Sequence, residues 1–505
     1  MTSPSQGLVS QSAVELRRLI GDKSISPVEL LDACIHQIEK LNPAVNAIAA
    51  TCFDAARRSA RAAEQDVMNG KELGLLHGLP LGVKDVEDTA RLLTTYGSPM
   101  ARSNVPSRDT VLVERLRSAG AILVAKTNVS ELGTGANTQN PVWGATANPF
   151  NLRLGVGGSS GGSAVTLACD MLPVCTGSDT GGSLRIPASN CGVVGFRPSP
   201  GLVPNRRRAL GWAPISVAGP MGRDVADAAL QLAAIAGKYA EDPLSYAVDA
   251  EDFALLPRVD LETLRVGYTE DFDCCDVDEN IRKTFRARVN ELSRIVRTCE
   301  PLALNLGDVH GCFDVIRAEN FVANLHAAYE RDPSALGSKV RADYEQGAEM
   351  SLADCAWAQA EQTRIFRRFQ SAFSRFDVVI TPTTPVTPFP WREVHPLIVE
   401  GNPQENYYRW LALTYVVTLT RHPALSLPCG IDNEGMPFSL QIIGPYHGDI
   451  KTLAISRALE RVFSSSPALC RPRPDLRSLE RPNAALKLDV TAPPDFEPFG
   501  SDTTG

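Results

Sequence analysis

Residues 157–163 read GGSSGGS and residues 177–188 read GSDTGGSLRIPA. The apolar segment 172–175 predicts a buried strand directly before the second run. A helical pattern at 163–170 follows the first run. In the second run, two glycines precede Ser183 and allow a tight turn. A helix, a strand and a sharp turn in this order predict an α/β fold with Ser183 placed just after a strand.

The loop that ends at Ser183 has the composition of an oxyanion hole. If the chain turns tightly there, the backbone N–H groups converge on one point and can stabilise a tetrahedral oxyanion. These are the N–H groups of Thr180, Gly181, Gly182 and Ser183. A phosphate-binding loop or a simple turn has the same composition. Neither run is followed by the Gly-Lys-Ser/Thr of a P-loop, so the local sequence leaves acyl transfer and a plain turn open.

A serine hydroxyl is a weak nucleophile until a base takes its proton, and residues 78–309 contain no histidine. Lys84 is the candidate base, since it lies in a predicted apolar strand at 79–86. Burial disfavours its charged form and lowers its pKa, as a lysine base requires. The alternative is a lysine that pairs with a carboxylate at the strand end, of Asp85, Glu87 or Asp88.

Ser159 also satisfies the G-x-S-x-G pattern of α/β-hydrolases, within residues 157–161. That motif requires a strand directly before the serine. Residues 148–153 read as a loop instead, and an HGGG-type segment is missing. A Ser-His-Asp esterase of the α/β-hydrolase type is therefore kept only as an alternative.

The rest of the chain predicts a large α/β architecture. Strand 79–86, helix 110–118 and strand 121–125 form a βαβ unit, which implies parallel pairing in part of the sheet. Further apolar strands are predicted at 264–268, 376–381, 425–427 and 438–443. We expect a large mixed, mostly parallel β-sheet sandwiched by α-helices.

The pattern predicts a single domain over residues 1–465. A helical region at 277–375 decorates it, where an apolar stripe recurs at helical spacing. Beyond residue 465, proline and charged residues dominate the sequence. We therefore predict residues 466–505 as a C-terminal tail that is loosely packed or disordered.

Composition argues against several classes of function. The net charge of −8 and the pI of 5.6 argue against binding to nucleic acid or to an anionic membrane. Runs of about 18 apolar residues are missing, so we expect no membrane span, and we read no secretory signal at the N-terminus. The twelve cysteines include no C-x-x-C pair. This pattern suits reduced thiols in the cytoplasm and neither a disulfide framework nor a zinc site.

Together these segments resemble a known family. The runs at 157–163 and 177–188 look like the signature of the amidase signature hydrolases, and the similarity extends from about residue 10 to residue 465. The further matching segments are HGLPLGVKD at 77–85, KTNVSEL at 126–132, GPM at 219–221, DVVITPT at 377–383 and LQIIGP at 440–445.

The resemblance implies a Ser-cisSer-Lys triad. Carried onto this sequence, Ser183 is the nucleophile, Ser159 is the bridging serine with a cis peptide bond, and Lys84 is the base. Such a triad needs no metal or organic cofactor. The family fold is a large mixed sheet covered by helices, which agrees with the βαβ unit. We also hypothesise that Asp179 and Arg185 pair and hold the loop in shape.

The resemblance also indicates where a substrate binds. It places residues 133–136 near the acyl pocket, so Gly133 and Thr134 are candidate substrate-binding residues. Their small size suits bulky or aromatic groups. Residues 201–208 are a candidate lid, and we interpret the arginine run within it as a solvated surface feature. Trp212 either walls the entrance or packs against its neighbours.

We therefore expect an amidase that hydrolyses the C–N bond of small-molecule amides through a serine acyl-enzyme. Broad acyl and aryl tolerance, with aryl esters and carbamates (urethanes) as a subclass, follows from the same resemblance. The alternative within the family is the glutaminase-type component of a tRNA-dependent amidotransferase. That protein typically carries KPTYGRVS where this chain has RPSPGLVP, at 197–204. We expect a small-molecule substrate, no nucleic acid or membrane partner, and a monomer or homodimer.

Overall fold

The computed structural model describes residues 4–494 of the chain. Its strands are short, and most of them are buried. They are β1 (Ile48–Thr51), β2 (Pro80–Lys84), β3 (Ile122–Thr127), β4 (Gln139–Asn140), β5 (Gly144–Ala145), β6 (Ala147–Asn148), β7 (Asn151–Gly155), β8 (Val174–Asp179), β9 (Val194–Arg197), β10 (Val217–Gly222), β11 (Arg265–Tyr268), β12 (Thr298–Pro301), β13 (Val378–Pro382), β14 (Ile398–Val399), β15 (Asn402–Pro403), β16 (Ala424–Ile431) and β17 (Pro437–Ile443).

Helices connect and cover these strands. They are α1 (Pro4–Val9), α2 (Ala13–Gly21), α3 (Pro27–Val45), α4 (Phe53–Met68), α5 (Val111–Ser118), α6 (Gly161–Ala168), α7 (Arg185–Asn190), α8 (Val225–Ile235), α9 (Glu251–Ala254), α10 (Glu279–Leu292), α11 (Val309–Arg331), α12 (Ser338–Ala348), α13 (Leu352–Gln370), α14 (Ala412–Thr420) and α15 (Asp449–Phe463).

The main sheet has eleven strands in the order β1-β3-β2-β8-β10-β9-β16-β17-β13-β11-β12. It is mixed: β2 pairs in parallel with β3 and β8, and β11 pairs in parallel with β12 and β13. The other pairings within this sheet are antiparallel. The predicted fold class is confirmed, including the βαβ unit of β2, α5 and β3, although antiparallel pairing has a larger share than we expected.

The parallel pair β2 and β8 determines where the candidate site forms. Leu81 is in register with Val174, and Gly82 with Cys175. Because parallel strands run in the same direction, the carboxyl end of β2, at Lys84, lies beside the carboxyl end of β8. The sequence run at 177–188 was predicted to begin as a loop. Its first residues instead complete β8, because β10 pairs with that strand as far as Asp179.

Helix α6 follows the first glycine-serine run and is buried on every face. Such burial requires small residues, and the helix begins with two glycines. A Cβ added at Gly162 would overlap the backbone of Asn128 and come within 2.6 Å of the Ala47 oxygen. The glycines therefore let α6 pack closely beside the sheet and fix the loop that precedes it.

Residues 277–375, predicted as a helical decoration, contain α10 to α13 and also one strand. That strand, β12, pairs with β11 at the edge of the main sheet. The first part of the predicted tail, residues 466–494, is packed more closely than we expected, because three leucines in it bury their side chains, namely Leu469, Leu479 and Leu486. The remainder of the predicted tail, residues 495–505, lies outside the described residues.

Two further observations concern the described residues. Within residues 4–494, the helices are too short or too polar to cross a membrane. The twelve cysteines all lie within these residues, as free thiols.

Candidate active site

Lys84 ends β2 and is completely buried. Its Nζ lies 2.8 Å from the Oγ of Ser159 and 2.9 Å from the Oγ of Ser178. Its backbone N–H donates to the Oγ1 of Thr176, which fixes the end of the strand. The amine is therefore held between two hydroxyl groups at the junction of β2, β8 and the loop before α6.

Burial lowers the pKa of the Lys84 ammonium to about 7, although the carboxylates of Glu87 and Asp179 act in the opposite direction. A large fraction of the amine is thus neutral near neutral pH, where an ordinary lysine is almost fully charged. The alternative was a lysine paired with Asp85, Glu87 or Asp88, and among the described residues the hydrogen bonds of the Lys84 amine go to hydroxyl groups and not to these carboxylates. Asp85 lies 3.9 Å from Lys126, and Asp88 lies 3.0 Å from Arg207.

Ser159 lies in the loop between β7 and α6, and the peptide bond between Gly158 and Ser159 is cis. The cis bond is what the family resemblance implied at this position. Ser159 is buried. Gly133 passes close to it, since a Cβ added to Gly133 would lie 3.8 Å from the Ser159 Oγ.

The loop that carries Ser183 is built around the carboxylate of Asp179. The Oδ1 of Asp179 accepts from the N–H of Gly182 at 3.0 Å, and the Oδ2 accepts from the N–H of Leu184 at 3.2 Å. Arg185 binds the same carboxylate through two nitrogens, at 2.9 and 2.8 Å. The predicted contact between Asp179 and Arg185 is therefore present, and it closes a tight turn.

Asp179 has a second cationic neighbour that the sequence analysis missed. Arg197, at the end of β9, donates to the Asp179 carbonyl at 2.6 Å and to its Oδ1 at 3.0 Å. Burial alone would raise the pKa of Asp179, but the guanidinium groups of Arg185 and Arg197 hold that pKa far below its usual range. The sequence contains a clue to Arg197, because this residue is a cation at the end of an apolar segment, as Lys84 is.

The oxyanion hole predicted from Thr180 to Ser183 differs from the structure at one position. The N–H of Gly182 already donates to Asp179, so it does not point freely at a substrate. Gly182 has a φ of +132°, and a Cβ there would overlap the Oγ1 of Thr414. An oxyanion hole built from the N–H groups of Thr180, Gly181 and Ser183 stays a prediction.

Ser178 is the second residue of the site that sequence analysis missed. Its Oγ contacts the Lys84 amine at 2.9 Å, and its side chain lines a cavity. The signal was its position, five residues before Ser183 in the same run. The sequence pattern predicts a loop at this position. The pairing of β8 with β10 shows that Ser178 is part of the strand instead.

A cavity of about 430 Å³ adjoins these residues. One part of its lining, which we call the sheet wall, comes from the end of β8 and the loop after it and consists of Ser178, Thr180, Gly181 and Ser183. A second part, which we call the helical wall, comes from α11 and the segment before α14 and consists of Phe313, Arg317, Phe321, Tyr407, Tyr408 and Leu411. Gly133 and Thr134, the candidate substrate-binding residues, also line the cavity. Lys84 and Ser159 are buried and are not among the lining residues.

The candidate lid at 201–208 is only partly a surface segment. Leu202 and Val203 are buried in the core. Arg208, which we interpreted as solvated, is nearly buried and binds Asp242 at 2.9 Å, so that interpretation is wrong for this residue. Trp212 is 77% exposed and is not among the lining residues of the cavity.

Carboxylates balance the arginine charges on the cavity lining. Its lining includes three arginines, and each has a carboxylate partner: Arg207 with Asp88, Arg208 with Asp242, and Arg317 with Asp343. Among the described residues that line the cavity, none is a histidine. The Ser-His-Asp alternative therefore lacks its base, whereas a lysine base and a serine are both within this part of the molecule.

Comparisons with known proteins identify the family of the chain. The family model described as Amidase matches residues 29–453. The A component of glutamyl-tRNA(Gln) amidotransferase from Synechococcus elongatus is 33% identical over 470 residues, which cover 88% of this chain and 97% of that protein.

Solved structures show the same fold. A bacterial aryl acylamidase of the amidase signature family has a TM-score of 0.84 and 28% identity, and the match covers 90% of this chain and 96% of that one. 6-Aminohexanoate cyclic dimer hydrolase has a TM-score of 0.81 and 25% identity, with 93% and 99% covered.

Proposed function

The chain belongs to the amidase signature family, and we propose that it is a serine amidase that hydrolyses uncharged small-molecule amides through an acyl-enzyme. One observation carries the proposal. Lys84, with its lowered pKa, lies between the hydroxyls of Ser159 and Ser178, next to a cavity that Ser183 lines. A base, a relay hydroxyl and an accessible nucleophile are the parts that acyl transfer requires.

The proposed cycle begins with neutral Lys84. Ser183 gives its proton to Ser159 as Ser159 passes its own proton to the Lys84 amine, and the Ser183 oxygen attacks the amide carbonyl. In this proposal, the N–H groups of Thr180, Gly181 and Ser183 stabilise the oxyanion. The proton then returns through Ser159 to the leaving nitrogen as the C–N bond breaks. Water attacks the ester on Ser183 by the same route and releases the acid.

Ser178 has a positioning role in this proposal. A neutral amine has two N–H bonds and one lone pair. If one N–H donates to the Ser178 Oγ, the lone pair of Lys84 can accept from the O–H of Ser159. Ser178 thereby orients the base without touching the reacting atoms.

The helical wall supports an apolar or aromatic substrate. Phe313, Phe321, Tyr408 and Leu411 supply ring and aliphatic surface, and cavities of several hundred Å³ enclose most of a small organic ligand. The aryl acylamidase similarity points to the same class of substrate. Aryl esters and carbamates place a carbonyl beside a good leaving group in the same way, so we propose them as a subclass.

A second candidate function is the glutaminase-type component of a glutamyl-tRNA(Gln) amidotransferase, and the curated relatives favour it over a small-molecule amidase. Glutamine carries an α-carboxylate and an α-ammonium, which need a free cation and a free anion. The three arginines that line the cavity are all paired. This charge balance is our reason for ranking the small-molecule amidase first.

The test uses the purified chain alone on acetanilide, benzamide and L-glutamine, with Ser183→Ala and Lys84→Met as controls. We expect amine or ammonia from the two neutral amides and little from glutamine, and both variants should be inactive. A fluorophosphonate probe should label Ser183, as mass spectrometry of the peptide would show. Hydrolysis of glutamine alone, stimulated by partner proteins, would favour the amidotransferase. Absence of any label at Ser183 would point to a non-catalytic binding protein.

A further inference from the structure

Arg317 brings a positive charge into the helical wall of the cavity. It lies on α11 and is only 6% exposed. Its Nη1 and Nη2 donate to the two carboxylate oxygens of Asp343 on α12, at 2.8 and 2.7 Å. This is a bidentate ion pair, the strongest common geometry for an arginine and a carboxylate.

Aromatic rings and a phenol hold the guanidinium in place. Its central carbon lies 4.5 Å from the ring centre of Phe321 and 4.1 Å from that of Tyr408. The hydroxyl of Tyr407 contacts Arg317 and also donates to the Asp343 Oδ2 at 2.7 Å. Cation–π contacts on this scale are attractive, most of all where water is excluded. The guanidinium of Arg317 is therefore held in one position on the cavity wall.

Asp343 acts on the cavity from behind this wall. Arg317 lines the cavity and Asp343 does not, so a substrate in the cavity can meet the guanidinium without meeting the carboxylate. Without its partner, a fixed guanidinium in such a site would bind carboxylate groups strongly, because charges interact more strongly there than in water. The carboxylate occupies both Nη atoms and cancels that charge.

We propose that Asp343 is a specificity-determining residue that makes the cavity select uncharged amides over amides that carry a carboxylate. The inference deepens the proposed function and rests on it for its kinetic test. It also explains how a cavity lined by three arginines can suit an apolar substrate. The three residues that form these contacts are far apart in the sequence. Arg317 and Asp343 lie on separate helices, and Tyr407 lies in a later segment.

The test is a charge cycle on the pair. Asp343→Asn leaves Arg317 unbalanced, Arg317→Gln leaves Asp343 unbalanced, and the double variant removes both charges. The probes are butyryl, succinyl and 4-aminobutyryl 4-nitroanilide, which are neutral, anionic and cationic and release the same chromophore. Acetanilides with a para carboxamide, carboxylate or aminomethyl group place the same charges on the amine side.

In at least one probe set, we expect Asp343→Asn to raise the ratio of kcat/KM for the anionic probe over the neutral one by roughly tenfold or more. Arg317→Gln should raise the corresponding ratio for the cationic probe, and the double variant should return both ratios toward those of the wild type. Unchanged ratios in both probe sets, for variants with a native circular dichroism spectrum, would overturn the proposal.

Equilibrium binding separates this proposal from the proposed function. If the wild type hydrolyses none of the neutral probes, the proposed function fails, and calorimetric titration with benzoate and benzamide still decides the charge question. Asp343→Asn should then bind benzoate roughly tenfold more tightly than the wild type does, with a smaller change for benzamide. Equal affinity of Asp343→Asn and wild type for benzoate would overturn the inference.

Discussion

The two walls of the cavity differ in how they are built. The sheet wall is formed by the end of β8 and the loop after it, and behind it lie Lys84, Ser159 and the carboxylate of Asp179, all buried and held by hydrogen bonds. The helical wall presents aromatic rings and one paired arginine from α11 and the segment before α14. In the proposed function, the sheet wall and the residues behind it supply the groups for chemistry, and the helical wall supplies the surface that selects a substrate.

This difference suggests that reaction and specificity can change separately. Groups that act in acyl transfer must keep a fixed geometry, which a buried strand pair provides. Contacts on a helix packed against that core can be substituted with less consequence for the reacting atoms. Changes in the sheet wall should therefore abolish turnover or unfold the protein, while changes in the helical wall should alter the preference among substrates.

The largest expected effect comes from the nucleophile. Ser183→Ala should lower kcat/KM for every amide, ester and carbamate by at least about 10⁴-fold, because it removes the oxygen that forms the acyl-enzyme in the proposed function. Steady-state kinetics and the melting temperature would check it, and the melting temperature should stay near that of the wild type. Residual turnover within about tenfold of the wild type would break the proposed division between the walls.

The next effect concerns the carboxylate beneath the loop. Asp179→Asn leaves the buried guanidiniums of Arg185 and Arg197 without their partner, which should cost about 3–5 kcal/mol of unfolding free energy. Urea unfolding would measure it. Asp377→Asn is the matched control, because that carboxylate pairs at the surface with Arg265 and Lys451 and should cost about 1 kcal/mol or less. Equal losses for the two variants would contradict this account of the loop.

A smaller loss is expected at the turn before the nucleophile. Gly182→Ala adds a Cβ that overlaps Thr414 in addition to the strain of a positive φ. Gly237→Ala has a φ of +111° and open space around the added Cβ, so it reports the backbone strain alone. Gly182→Ala should therefore be about 1–3 kcal/mol less stable than Gly237→Ala. Thermal or urea unfolding of the two variants would test the difference, and equal stability would show that the turn tolerates the contact.

The smallest effect is expected in the helical wall. Phe321→Ala should lower kcat/KM for anilides by roughly tenfold relative to that for acetamide, because it removes ring surface from the cavity. Trp212→Ala is the control, since that side chain is 77% exposed and does not line the cavity. A uniform loss for all substrates would place Phe321 among the groups for chemistry and weaken the comparison.

The groups for chemistry were largely predictable because they lie in short contiguous segments. The run at 177–188 contains both Asp179 and Ser183, and a single strand contains Lys84. The contact of Lys84 with Ser159 followed from the family resemblance, and the contact of Asp179 with Arg185 was a separate hypothesis that rested on their closeness in one run. The sequence pattern could not show which of several cations in apolar strands contacts Ser159. Lys126 and Arg197 share that signal with Lys84, and only the contacts separate them.

The helical wall was not predictable because its contacts are long-range. Arg317, Asp343 and Tyr407 are separated by stretches of unrelated sequence, and each alone has the pattern of an ordinary helix or loop residue. Arg208 was assigned to solvent because three arginines in a row are typical of a surface. Its burial depends on Asp242, a partner that the local pattern does not reveal.

The most direct test of the central claim, that neutral Lys84 activates Ser183, is the pH dependence of fluorophosphonate labelling at Ser183. The neutral fraction of Lys84 grows as pH rises, so the labelling rate should increase through a pKa of about 7 and level off above it. Lys84→Met should label far more slowly and without that rise. A wild-type rate that is independent of pH between about pH 5 and pH 9, or undiminished labelling of Lys84→Met, would contradict the account.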